Sequence, residues 1–203
     1  MVEFKAHADR IIKERWGIEV EHIRSSCTYE RCFYRKRGNR TKHSPGENRG
    51  WPKMKGAWCN SQVKMPPLKA IEKGGSIIYV GIAGDEPNRF HNLSDTKKSP
   101  LVEAGWTEAD CRRWCEENDL LSPIYTNITR GGCWFCHNQS VGQLRLLRKN
   151  YPDLWALMLK WDADSPVHFK PDGHTVHDFD KRFQMEDEGL LPTDKRFLWK
   201  MIQ

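Results

Sequence analysis

The sequence predicts a three-layer α/β fold around a mainly parallel sheet, and two observations predict it. The first is the run Ser76-Ile77-Ile78-Tyr79-Val80-Gly81-Ile82, short, apolar and β-branched, the pattern of a strand buried on both faces. The second is its setting, because strand-like runs alternate with helix-like stretches, which is how βαβ units are written in sequence. The run ends in Gly84-Asp85-Glu86, polar residues at a strand's carboxyl end, where open α/β sheets bind ligands.

The elements follow in order. Phe4, Ala8, Ile11, Ile12 and Trp16 recur at helical spacing, with Gly17 placed to cap the helix. Ile18 to Ile23 alternates apolar and polar residues, the period of a strand. Met65 to Lys73 is a helix opening on Pro66-Pro67. Thr107-Glu108-Ala109-Asp110 resembles a capping box and starts a helix to about Asn118. Helices are also expected over 141–150, 152–160 and 175–188. Trp155, Trp161, Phe179, Phe183 and Trp199 stand at helical spacings and are expected to pack a C-terminal core.

At 203 residues with a charged fraction of 30% the chain has the size and polarity of a soluble domain. It shows neither a membrane-length apolar run nor a secretory start, and seven cysteines, an odd count, favour reduced thiols in a cytoplasm. The net charge is +6, concentrated in Arg35, Lys36, Arg37, Arg40 and Lys42, a basic loop able to meet nucleic acid or nucleotide phosphates. The stretch from Gly38 to Gly56, rich in Gly, Pro, Asn and Lys, is a long loop.

Cys133-Trp134-Phe135-Cys136 carries a CxxC pair that can bite one soft metal ion from a single turn. Cys59 is a further candidate ligand, and His137, directly after the pair, completes a Cys₃His set for zinc; Cys111 is an alternative fourth ligand. Cys111 and Cys115 lie four apart on one helix face and are expected to pack, while Cys27 and Cys32 flank a polar turn with no assigned role. Lys64, Arg89 and Arg130 are the best anion contacts, with Gly131-Gly132 allowing close backbone approach; Asp85 and Glu86 suit a ribose or a metal. His174 and His177 are expected to make structural hydrogen bonds at a helix start.

Four segments occur together in order: Trp58-Cys59…Lys64…Pro67-Leu68, then Tyr79-Val80-Gly81-Ile82…Asp85-Glu86…Arg89, then Lys98-Ser99-Pro100-Leu101…Trp106-Thr107…Asp110, then Gly132-Cys133-Trp134-Phe135-Cys136. That series resembles the phosphoadenosine phosphosulfate (PAPS) reductase family of the adenine nucleotide alpha hydrolase-like superfamily, over roughly Phe4 to Tyr151, and is most similar to a bacterial and phage branch. The resemblance implies a PAPS reductase-like α/β domain over 1–160 with a helical extension over 161–203. It implies an adenine nucleotide as substrate or ligand, attacked at its α-phosphate or sulfonate by hydrolysis, adenylation or sulfur transfer. It also implies an iron–sulfur cluster as the alternative to zinc, although Trp58 stands where such reductases carry a fourth cysteine.

The departures set the alternative. The Ser-Gly-Gly-Lys-Asp-Ser phosphate loop of the family is missing, so the expected domain is truncated at its N-terminus. Activity of this chain alone is thereby disfavoured. No cysteine follows Cys136, which removes the tail nucleophile of a sulfonucleotide reductase. An open sheet edge would favour a homo-oligomer or a partner chain supplying the absent strands. The alternative function is an inactive nucleotide- or nucleic-acid-binding accessory protein with a structural Cys/His metal site.

Overall fold

The computed structural model describes residues 2–40, 44–53, 57–126 and 131–193. The chain divides into two compact units, Met1–Ile23 with Lys69–Gly131, and Arg24–Leu68 with Gly132–Gln203. Its elements are α1 (Val2–Trp16), α2 (Tyr29–Phe33), a π-helical turn (Cys59–Lys64), α3 (Met65–Ile71), β1 (Ile78–Tyr79), α4 (Pro87–Phe90), β2 (Lys97–Lys98), α5 (Pro100–Glu103), α6 (Glu108–Glu117), a 3₁₀ turn (Pro123–Thr126), α7 (Val141–Asn150), α8 (Pro152–Ala163) and α9 (Val176–Asp187).

This is not the three-layer parallel-sheet α/β fold that the sequence predicts. Among the described residues the sheet consists of β1 and β2, two residues each, paired in parallel as Ile78↔Lys97 and Tyr79↔Lys98. The physical reason is that β-propensity acts only where a strand finds partners and cover. Ile77 is 50% exposed and Tyr79 67%, so the run from Ser76 is not sandwiched between layers. Ile18 to Ile23 likewise forms no strand, and Ile18, Val20 and Ile23 are exposed.

In the first unit, helix caps and side-chain ties give the order. Gly17 adopts φ +68° and its N–H bonds Lys13 O at 2.9 Å, ending α1 as its glycine suggests. Trp16 stacks on Trp114 of α6 at 5.7 Å between ring centroids. The Arg15 guanidinium donates to Asn118 Oδ1 at 3.0 Å, joining the same two helices. Thr107 and Asp110 exchange the two hydrogen bonds of a true capping box at the start of α6.

The second unit is built on aromatic packing. Trp161 of α8 lies within 5.4–6.1 Å of Tyr29, Phe33, Trp51, Trp134 and Phe135, ring centroid to ring centroid. Aromatic pairs prefer such offset and edge-on arrangements, each adding about 0.5–1.5 kcal/mol beyond area burial. Leu144, Met158, Val176, Phe179 and Phe183 fill the space among α7, α8 and α9. Capping boxes at Ser140–Gln143 and Thr175–Asp178 and a proline at the first turn of α8 set where these helices begin. The expected C-terminal packing of Trp155, Trp161, Phe179 and Phe183 is found; Trp199 lies outside the described residues.

Candidate functional site

The basic segment is organised by a hairpin. Lys36 and Asn48 form an antiparallel bridge, flanked by Arg37 N–H to Glu47 O at 2.9 Å and Arg49 N–H to Arg35 O at 3.0 Å. Ser44 (φ 50°) and Gly46 (φ 76°) supply left-handed backbone in its turn. Gly50, φ +70°, follows at the base of the hairpin. A Cβ there would strike the Ser165 hydroxyl and come within 2.9 Å of Pro166 Cδ, so only glycine lets this backbone pass. Gly50 O in turn accepts from the Trp58 indole N–H at 3.2 Å.

That folding gathers cations. Arg35, Lys36, Arg37, Arg49 and Lys53 line a groove of about 690 Å³ together with Gly38, Trp51, Trp58, Ser61 and Gln62. No carboxylate is among these lining residues. Burial first, then repulsion from Arg35 and Arg37, pulls the Arg49 pKa below its ordinary value. Arg49 is steadied by a hydrogen bond to Gln62 Oε1 at 2.5 Å and by lying over the Trp58 ring at 5.7 Å. The Arg37 guanidinium donates to Arg49 O at 2.7 Å. Like charges are thus held together by side-chain and backbone bonds, which concentrates a field for an anion.

A second recess of about 500 Å³ shares Arg37 and Lys53 with this groove and adds Ser44, Pro52, His137, Pro166, Val167, His168, Phe169, Lys170, Pro171 and Gly173. Lys170 Nζ donates to His137 O and Gln139 O, both at 2.6 Å, and lies 5.2 Å from the Phe169 ring centroid. Burial lowers its pKa, partly offset by Asp172 and Cys136. Lys170 therefore pins the turn after the CxxC pair.

The three candidate thiols share one neighbourhood. Cys59, Cys133 and Cys136 all act electrostatically on Tyr29, whose phenol is pushed above its ordinary pKa mainly by burial and then by these thiols. The Tyr29 hydroxyl is buried without a hydrogen-bond partner among the described residues. Burial, offset by Lys64, also raises the Cys59 thiol. Yet no group of three or more His, Cys, Asp or Glu side chains among the described residues is arranged to hold a metal ion. His137 lines the cationic recess, and its pKa is lowered by burial and then by Lys170.

The expected nucleotide contacts separate into different tasks. Lys64 ends the π-helical turn of the second unit. Asp85, Glu86 and Arg89 belong to the first unit, where Asp85 Oδ1 accepts the Glu108 N–H at 3.0 Å and Arg89 pairs with both Glu86 oxygens at 2.6 and 2.7 Å. These bonds brace α4 and the start of α6. Arg130 and Lys42 lie outside the described residues. His177 Nδ1 meets the buried Asp162 Oδ2 at 2.8 Å, a structural bond of the kind expected at that helix start.

Sequence reasoning missed Arg49, Lys53, His168 and Lys170. The signal for the first two was Ser44-Pro45-Gly46, a turn that folds the Gly38–Gly56 stretch back on the basic run; nothing local marks His168 or Lys170. It also gave no role to Cys27 and Cys32, of which Cys32 is buried in the aromatic core. Burial first, then its neighbour Cys27, pushes the Cys32 thiol up to about 11. Cys32 is therefore expected to alkylate roughly 100-fold more slowly than an exposed cysteine at pH 8, because two pKa units remove that share of thiolate. Timed iodoacetamide labelling with peptide mass spectrometry measures this, and equal rates for Cys32 and an unfolded control would refute it.

Compared with protein-family models, curated proteins and solved structures, the chain matches none. The PAPS reductase resemblance rests on its four sequence segments. No helix among the described residues is long and apolar enough to cross a membrane.

Proposed function

We propose that this chain is a nucleic-acid-binding protein whose second unit grips the phosphodiester backbone through Arg35, Lys36, Arg37, Arg49 and Lys53. The observation that carries this reading is the continuous groove of five cations without a lining carboxylate. Arginine forks match phosphate oxygens, and several cations in a row suit a chain of phosphates better than a single small anion. Trp51 and Trp58 are buried in the core, so they act as the groove's floor and leave the bases unstacked on protein. Recognition is therefore of backbone, with little sequence preference.

An adenine-nucleotide reaction at Asp85, Glu86 and Arg89 draws no such support, because those side chains are spent on one another and on α6. The test is binding of fluorescent single-stranded DNA and RNA oligonucleotides across a salt series. Affinity is expected to fall with salt at a log–log slope of about −0.7 per phosphate contacted, about −3.5 if each of the five cations meets one phosphate. Absent or salt-independent binding overturns the reading.

A further inference from the structure

We propose that the recess lined by Arg37, Lys53, His137, His168 and Lys170 holds the terminal phosphate monoester of a nucleic-acid strand lying in the adjoining groove. The inference rests on the strand-binding reading and names the part of the strand that the protein singles out. Three observations lead to it.

The recess and the groove share Arg37 and Lys53, so a chain of phosphates can pass from one into the other without leaving the cationic surface. The recess is also the more enclosed of the two, and at about 500 Å³ it suits one nucleotide rather than a run of them. Its lining differs in kind. Pro52, Pro166, Val167, Phe169 and Pro171 add apolar lining suited to a sugar or base beside the cationic and imidazole groups. No carboxylate is among its lining residues either.

Charge decides which phosphate belongs there. An internal phosphodiester carries one negative charge, whereas a terminal monoester carries about −1.5 to −2 at neutral pH and offers three strong acceptor oxygens. Lys170 is held by two carbonyl bonds, which use two of its three ammonium hydrogens and fix the cation in place. The His137 ring, 6% exposed, sits in the recess wall with Nδ1 lacking a hydrogen-bond partner among the described residues. A buried polar atom left unpaired is costly unless something completes it.

The experiment measures anisotropy of the full chain with one oligonucleotide in three forms, with hydroxyl ends, with a 5′-phosphate and with a 3′-phosphate, as DNA and as RNA. One phosphorylated end is expected to bind about 10-fold more tightly than the hydroxyl strand. His168→Ala should reduce that preference, and His168→Glu, which places a carboxylate in the recess, should abolish it. His168→Ala should leave affinity for the hydroxyl strand unchanged, because His168 is not in the groove lining. For each variant the preference is read as the ratio of phosphorylated to hydroxyl strand affinity, which cancels any general loss from the added charge. Circular dichroism establishes that both variants fold. Equal affinity for all three forms, or a preference that survives His168→Glu, overturns this inference and leaves the strand reading standing. Failure of the hydroxyl strand to bind sinks the strand reading and this inference with it.

Discussion

Replacing Glu186 by glutamine is expected to cost about 3–5 kcal/mol of stability, the range for removing one partner of a buried ion pair. Glu186 and Arg182 are both 1% exposed at the side chain, and Arg182 Nε donates to Glu186 Oε1 at 2.7 Å. Arg145 of α7 adds two more bonds to the same carboxylate at 2.7 and 3.0 Å, and its guanidinium lies 5.1 Å from the Phe183 ring centroid. One carboxylate therefore ties α7 to α9 and neutralises a guanidinium in the core. Glutamine keeps the size and removes the negative charge that both guanidinium groups face. Urea unfolding of the two proteins measures the difference, and a change within 1 kcal/mol would refute the role.

The same network sets an acid limit. Burial raises the Glu186 pKa, but hydrogen bonds and charge from Arg145 and Arg182 outweigh it and leave the carboxyl below its ordinary 4.5. A depressed folded pKa means that the stabilisation is complete above the unfolded value and is lost as pH falls through the folded one. Melting temperature should thus hold steady above about pH 5 and fall below about 4.5, and Glu186→Gln should flatten that fall.

The second large effect concerns the groove. Arg35→Glu with Lys36→Glu should weaken oligonucleotide binding by more than about 100-fold at low salt, since two cations become two anions in the same field. Both side chains are exposed, so the fold should survive. Lys5→Glu with Lys149→Glu makes the same change in net charge at exposed positions on α1 and α7, outside the groove lining. If that control pair weakens binding equally, net charge and not the groove carries the affinity.

Helices were legible because their signals are local. Gly17, Thr107, Ser140, Thr175 and the proline of α8 mark ends through hydrogen bonds within a few residues, and apolar spacing marks the buried faces. The strand over Ser76 to Ile82 was misjudged for the opposite reason. A β-branched run becomes a strand only when a distant segment pairs with it, and here Thr96 to Lys98 supplies partners for two residues. The family-like segments carried an expectation of sheet that the pairing does not fulfil.

By itself the sequence determined helices α1, α3, α6, α7, α8 and α9, the core aromatics Trp155, Trp161, Phe179 and Phe183, and the presence of a basic loop, but not the short α2, α4 and α5. Only the tertiary structure decided what those residues do together. The Lys36–Asn48 bridge brings Arg49 and Lys53 beside Arg35 and Arg37, and Lys170, more than a hundred positions later, joins Arg37 and Lys53 in the lining of the adjoining recess. Cys59, Cys133 and Cys136 meet around Tyr29, whereas His137 is drawn toward Lys170 and the cationic recess. Helix ends follow from short-range hydrogen bonding, whereas a binding surface follows from which distant side chains the packed core sets side by side.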